Sequence, residues 1–232
     1  GTPLRGKPFL LEPFHKFIIY NLLGFKLKGT DVVRFHEALI FIPRKNIKTS
    51  FAAALAWALS LWYRRSGSKT YISAAALMQS LESFNFLDYN IRLMGEDEKH
   101  GGGVKIIDNI NEHSMEAELP DGSFFIRALA ANPDAQDSLN CNIAICDEIH
   151  AFTKPKQYNL FKEAMKAYTN KLLIGISTAG DNEQGFLGQR LQYCRKVLDG
   201  TIKDEQYFIF MCCANPDEEG NIDYTNPMVH EM

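Results

Sequence analysis

Asn142-Ile143-Ala144-Ile145-Cys146-Asp147-Glu148 is an apolar run that ends in two adjacent carboxylates. A short segment without a polar break has the pattern of a strand buried on both faces, as in the middle of a parallel sheet. Open α/β sheets bind their ligands beyond the carboxyl ends of such strands. An acid pair there has two jobs available. Asp147 suits the shell of a Mg²⁺ ion, and Glu148, on the other side of the pleat, suits the polarisation of an attacking water. The competing reading is a solvated strand end.

Working upstream, Glu37 to Ile42 is a second buried strand, followed by Pro43-Arg44-Lys45-Asn46-Ile47-Lys48-Thr49-Ser50 and an Ala- and Leu-rich helix. Strand, loop and helix in this order place backbone N–H groups and the positive end of a helix dipole where an anion can sit. Lys48 at the helix start can reach β- and γ-phosphates, and the Thr49 hydroxyl can ligate Mg²⁺. The loop lacks the glycines of G-x-x-x-x-G-K-[ST], so it is a weak signal alone. Ile47 stands where a glycine would take positive φ freely. A loop compatible with right-handed or extended backbone at Ile47, or one partly reshaped, is expected, together with weak nucleotide affinity. Working downstream, Leu172 to Ser177 continues into Thr178-Ala179-Gly180, a buried strand ending in two hydroxyls that could sense a γ-phosphate. A turn capped by Ser and Thr explains it equally well. His150 reads as a loop hydrogen-bonder rather than a metal ligand.

The remaining chain alternates strand and helix, which implies an α/β fold around a mainly parallel sheet flanked by helices. Helices are expected over Pro13–Leu23, Lys48–Arg65, Ala76–Met94, Pro155–Tyr168 and Phe186–Leu198. Further strands are expected over Lys69–Ala74, Ser123–Ala128, Lys171–Ser177 and Gln206–Cys213. Gly101 to Asp121 is polar and turn-rich and reads as a small hairpin-rich excursion. After Ala214 the composition turns to Asp, Glu, Asn and Pro, as in a linker.

Composition narrows the class. Among 232 residues, 46% are hydrophobic and 23% charged, enough for one core and ordinary for a soluble domain. A net charge of -3 gives no overall basic excess for nucleic acid, although a local face or a ring of subunits could supply one. Cys141, Cys146, Cys194, Cys212 and Cys213 form no C-x-x-C pair and read as free thiols in a reducing compartment. The longest apolar run, Phe51 to Trp62, is too short to span a bilayer. A start at Gly1 without Met is expected of a trimmed chain. Lys154, Lys156, Lys162 and Lys166 read as a solvated face. Phe84, Phe86, Phe161 and Phe186 read as core.

Taken in order, the three elements resemble the ATPase domain of phage terminase large subunits, especially the HK97-like group. Pro43-Arg44-Lys45-Asn46 and Lys48-Thr49 are similar to the family's Walker A segment, with Ile47 departing from it. Asp147-Glu148-Ile149-His150 is similar to its Walker B. Ser177-Thr178-Ala179-Gly180 is similar to its coupling motif, and Leu11-Glu12-Pro13-Phe14-His15 to its adenine-site segment. Tyr224-Thr225-Asn226-Pro227 resembles the segment that leaves the domain.

The resemblance implies a P-loop NTPase of the ASCE type, with a motor domain over 1–214 and a linker over 215–232 toward a nuclease domain beyond Met232. It implies ATP and Mg²⁺ as cofactors. Nucleotide would be bound by Phe14, His15, Arg44, Lys45, Asn46, Ile47, Lys48, Thr49 and Ser50. The metal would be held by Thr49 and Asp147, with Glu148, Arg44 and Lys48 catalytic and Ser177 and Thr178 sensing. His15 departs from the family's Gln, which alters how adenine is read. A trans arginine is expected from Arg127, Arg190 or Arg195 of a neighbour. The implied partners are double-stranded DNA, a portal protein, a terminase small subunit and further copies in a ring on the procapsid, in the cytoplasm of a host bacterium and without a membrane. A nucleic-acid-dependent ATPase or helicase, and an ATPase-like docking module, are the rival readings.

Overall fold

In the computed structural model, which describes residues 8–130 and 139–213, the run before Asp147 is a strand, β6 (Ile143–Cys146), buried along its whole length. The elements around it follow in chain order as α1 (Pro13–Gly24), β1 (Glu37–Phe41), α2 (Lys48–Trp62), β2 (Ser68–Ala74), α3 (Leu77–Leu93), β3 (Lys105–Asp108), β4 (His113–Leu119) and β5 (Gly122–Ala130). Past β6 come α4 (Lys156–Ala164), β7 (Leu172–Ser177), α5 (Phe186–Leu198) and β8 (Tyr207–Met211).

Among the described residues, eight strands form one sheet in the order β3-β4-β5-β2-β6-β7-β1-β8. From β5 to β8 every neighbouring pair is parallel. Strand β7 lies between β1, which leads into the phosphate-loop candidate, and β6, which leads into the acid pair.

Alternation along the strands sorts side chains into two layers. On β1, Ala38 and Ile40 join a cluster with Ile18 and Leu22 of α1, Phe51 and Leu55 of α2 and Phe84 of α3. Leu39 faces the opposite way, into a cluster with Phe161 of α4 and Phe186 of α5. Helices therefore cover both faces, and the sheet's strands can be apolar without interruption. This is the expected α/β architecture.

Several expected boundaries shift. The second helix ends at Trp62 rather than Arg65; Arg64–Ser66 form a 3-10 turn that closes on Gly67, whose φ of 75° a helix cannot accommodate. The fourth helix ends at Ala164 rather than Tyr168. The expected hairpin-rich excursion forms: β3 and β4 pair antiparallel and extend the sheet beyond β5. Phe84, Phe161 and Phe186 are core, and Phe86 packs partly buried against it.

All five cysteines are free. Burial pushes the Cys141 thiol up to about 12 and the Cys194 thiol up to about 11. No helix among the described residues is long and apolar enough to cross a membrane. The expected linker and the segment Tyr224–Pro227 lie outside the described residues.

Candidate active site

Parallel strands deliver their carboxyl ends to one edge of the sheet, and the ends of β1, β6 and β7 bring the expected residues together there. The loop after β1 is tied to β7 at once, since the Ile42 N–H donates to the Ser177 carbonyl at 3.1 Å. Asn46 Nδ2 donates across the loop to the Pro43 carbonyl at 3.1 Å. Lys48 is buried, and its Nζ lies 3.4 Å from that same carbonyl. Arg44 and Lys45 are exposed.

The expectation for Ile47 is corrected. Its φ is 54° and ψ is 30°, the left-handed region, and Lys45 two residues before it has a φ of 70°. A β-branched residue there costs roughly 1–2 kcal/mol through contact of its Cβ with the backbone. The Phe51 N–H bonds to the Ile47 carbonyl at 3.0 Å, so Ile47 still supplies the first bond of α2. Its side chain is left 38% exposed, so the core does not offset the strain.

Asp147 is almost wholly buried, and its N–H bonds the Ser73 carbonyl of β2 at 2.7 Å. Its Oδ1 accepts from the Glu148 N–H at 2.9 Å, and the Thr49 hydroxyl bonds its carboxylate. Burial, and then the neighbouring charge of Glu148, push the Asp147 carboxyl up to about 6, against the opposing pull of Lys48 and Thr49. A buried carboxylate held back from ionising is a site short of positive charge, and a divalent cation fits it. No group of three or more His, Cys, Asp and Glu residues is placed to hold a metal among the described residues. One carboxylate and one hydroxyl suit Mg²⁺, which keeps waters and takes phosphate oxygens as its other ligands.

Among the described residues Glu148 is the third outside glycine with left-handed backbone, at φ 52° and ψ 50°. The turn aims its carboxylate back toward α2, where Oε1 lies 3.9 Å from Lys48 Nζ. Its Oε2 is 3.0 Å from His150 Nδ1 but makes no well-angled hydrogen bond. Backbone strain at a side chain of this kind is common at functional sites. Ser177 and Thr178 are both buried. The Ser177 hydroxyl donates to the Thr178 carbonyl at 2.9 Å and accepts from the His150 N–H at 3.1 Å.

The residues expected beside adenine, Phe14 and His15, pack among aromatic side chains of α2 and β8. Phe14 is half-buried and stacks near Phe210 of β8. His15 is sealed among Phe9, Phe14 and Phe51, and burial lowers its pKa. Its Nδ1 accepts from the Glu12 N–H at 3.1 Å, capping α1, so the neutral ring carries its proton on Nε2, which is buried without a partner.

Arg190, one of the three arginines considered for a trans role, is engaged within its own domain. It is largely buried, with Nη1 3.2 Å from Glu37 Oε1 and its guanidinium 4.8 Å above the Tyr158 ring. Glu37 also accepts from the Tyr158 hydroxyl at 2.9 Å and pairs with Lys162. Lys162 makes this pair while staying partly exposed, and Lys166 pairs with Glu163 on the solvated face. Arg195 remains exposed on the last turn of α5. Sequence reasoning misses the Glu37 cluster, because its members are distant along the chain and only the sheet brings them together.

A family model for the ATPase domain of terminase large subunits matches residues 13–196. Among solved structures, the large terminase of bacteriophage HK97 superposes with a TM-score of 0.76 at 23% identity, covering 97% of this chain and 43% of that one. The large terminase of a thermophilic bacteriophage, solved in complex with ATP-gamma-S, gives a TM-score of 0.58 at 8% identity, covering 85% and 43%. The large-terminase ATPase domain of Thermus phage P74-26 gives 0.50 at 13% identity, covering 81% and 93%. At such identities the likenesses speak for the fold, and the chain spans under half the length of the first two of these proteins. No curated protein sequence matches the chain. A match over most of the chain, together with the strand order and the residues gathered at the sheet edge, means that this chain belongs to the terminase large subunit ATPase-domain family.

Proposed function

We propose that this chain is the ATP-hydrolysing motor domain of a viral DNA-packaging terminase, with residues 1–214 as the motor and 215–232 as a linker toward a nuclease domain. The observation that carries this reading is the convergence of Lys48, Thr49, Asp147 and Glu148 at one sheet edge, with Ser177 one strand away. In this reading Lys48 and the loop residues Arg44 to Ser50 bind the β- and γ-phosphates. Arg44 acts on the γ-phosphate from within the subunit.

Thr49 and Asp147 would hold Mg²⁺, which supplies positive charge to the transferring phosphoryl group. Glu148 orients a water and takes its proton. Lys48 offsets charge that develops on the leaving phosphate. Phe14 packs beside the adenine. A purine nitrogen would give the orphaned His15 Nε2–H an acceptor, provided that the aromatic nest opens.

Ser177 and Thr178 pass the state of the γ-phosphate onward. Turnover would drive double-stranded DNA into a procapsid, with further copies in a ring on the portal and the terminase small subunit as partner, in the host cytoplasm. The test is ATP hydrolysis by the full-length protein with and without DNA, beside a procapsid-filling assay and a strand-displacement assay. DNA-stimulated hydrolysis with procapsid filling supports the motor. Strand displacement without filling points to a helicase, and an inert protein points to a docking module.

A further inference from the structure

One side chain links the acid pair to the hydroxyl motif, and the roles assigned above leave it without a task. His150 sits in the 3-10 turn Ile149–Ala151 that follows Glu148. Its N–H donates to Ser177 Oγ at 3.1 Å, and its ring Nδ1 lies 3.2 Å from the same oxygen. That Nδ1 is also 3.0 Å from Glu148 Oε2.

The tautomer follows from the partners. Ser177 spends its hydroxyl proton on the Thr178 carbonyl at 2.9 Å, so toward His150 its oxygen can only accept. The Glu148 carboxylate likewise only accepts. Both demands put the ring proton on Nδ1, where the N–H bonds Ser177 Oγ while Glu148 Oε2, 3.0 Å away, stands beside it without a well-angled bond.

The ring is also confined. A Cβ built on Gly180 would lie 2.8 Å from His150 Cβ, so the glycine at the end of the hydroxyl motif leaves room for His150 and for little else. Any shift of the Ser177–Gly180 segment must therefore move the ring or turn its Nδ1–H from Ser177 toward Glu148.

We infer that His150 is a positioning residue that couples Ser177 to Glu148, its Nδ1–H resting on Ser177 beside the carboxylate and turning to hold Glu148 when the Ser177–Gly180 segment moves. The inference rests on the proposed reading of Glu148 as the group that activates water. Two neutral substitutions separate the Nδ1–H role from simple packing. The amide nitrogen of Asn stands near the place of Nδ1, whereas the longer Gln places its amide nearer Nε2.

The test is steady-state ATPase kinetics of the full-length protein for H150A, H150N, H150Q, S177A, E148Q and the H150A/S177A pair. It is accompanied by binding of a fluorescent ATP analogue and a thermal melt of each variant. The expected result is a kcat at least tenfold lower in H150A with KM and analogue affinity within about threefold of the parent. H150N should recover most of the rate and H150Q little of it. S177A alone should lower kcat several-fold, and the pair should be no slower than H150A. Parental kcat in H150A, multiplying effects in the pair, or equal recovery by H150Q and H150N would overturn the inference. If H150A does not fold, the contrast between H150N and H150Q decides alone. A parental rate in E148Q would remove the reading of Glu148 and His150's role with it, whereas an inert E148Q beside an unimpaired H150A removes only the role of His150.

Discussion

Lys48 Nζ and Glu148 Oε1 stand 3.9 Å apart across the mouth of the sheet, longer than a direct hydrogen bond and close enough for each to offset the other's charge. Such a pair has somewhere to go. A phosphate is a stronger partner for the ammonium than a carboxylate at this distance, so nucleotide binding should draw Lys48 away and leave Glu148 free to meet a water.

Removing the charge of Glu148 without changing its shape should therefore separate binding from turnover. E148Q is expected to bind ATP at least as tightly as the parent while kcat falls by roughly 100-fold or more, the usual contribution of a general base. Fluorescent-analogue titration beside a phosphate-release assay measures both, and a parental kcat would count against the assignment.

Asp147 makes the unliganded domain sensitive to pH. Its carboxyl ionises near 6 in the folded protein against 3.8 for the free group, so between those values the folded state holds more protons than the unfolded chain. Stability should accordingly fall as pH rises from about 4 to 6 and stay lower above that. D147N removes the penalty and is expected to stabilise the nucleotide-free domain at pH 7 by about 1–3 kcal/mol, while abolishing hydrolysis. Urea unfolding at pH 4 and pH 7 checks the sign: the gain should shrink at the lower pH.

Ile47 invites the opposite manipulation. Glycine accepts its φ of 54° without strain, so I47G should recover part of the roughly 1–2 kcal/mol stored there, less about 0.5–1 kcal/mol of added chain entropy. A near-neutral or slightly positive change in stability is expected, with a several-fold gain in nucleotide affinity as the backbone opens to the phosphate. Denaturant midpoints and analogue titrations would show it. A clear loss of both would mean that the isoleucine side chain is itself needed.

Glu37 binds β1 to α4 and α5 through Tyr158, Lys162 and Arg190. E37A would strand the largely buried Arg190 guanidinium and is expected to cost about 2–4 kcal/mol in denaturant unfolding. R190A should cost less, because Lys162 and Tyr158 still satisfy the carboxylate. Its hydrolysis rate per folded molecule should stay close to the parent's, unlike that of a trans arginine.

The parts legible in the sequence are those in which local pattern and tertiary environment agree. β6 and β7 are apolar throughout because helices cover both faces of the sheet, and the acid and hydroxyl pairs mark their carboxyl ends. Phe186–Leu198 has the expected bounds because its amphipathic pattern stops where burial stops. Trp62 is not visible as a helix end, since Tyr63 to Ser66 continue the helical pattern until Gly67 breaks it.

Ile47 misleads because no glycine marks the left-handed position. His150 reads as a hydrogen-bonder, but its partner Ser177 is 27 residues away and no local rule names it. Glu37 meets the Tyr158 hydroxyl across 121 residues, a separation at which sequence pattern carries no pairing information.

The place of β7 between β1 and β6 has a geometric consequence. Adjacent strands lie about 4.8 Å apart, so the phosphate loop and the acid pair are separated by two such steps, about 10 Å. Backbone hydrogen bonds set that width, and backbone hydrogen bonds do not depend on which side chains fill the layers above and below. The sheet works as a fixed gauge. Substitution can exchange residues in those layers, and the two halves of the site still face each other across the same gap.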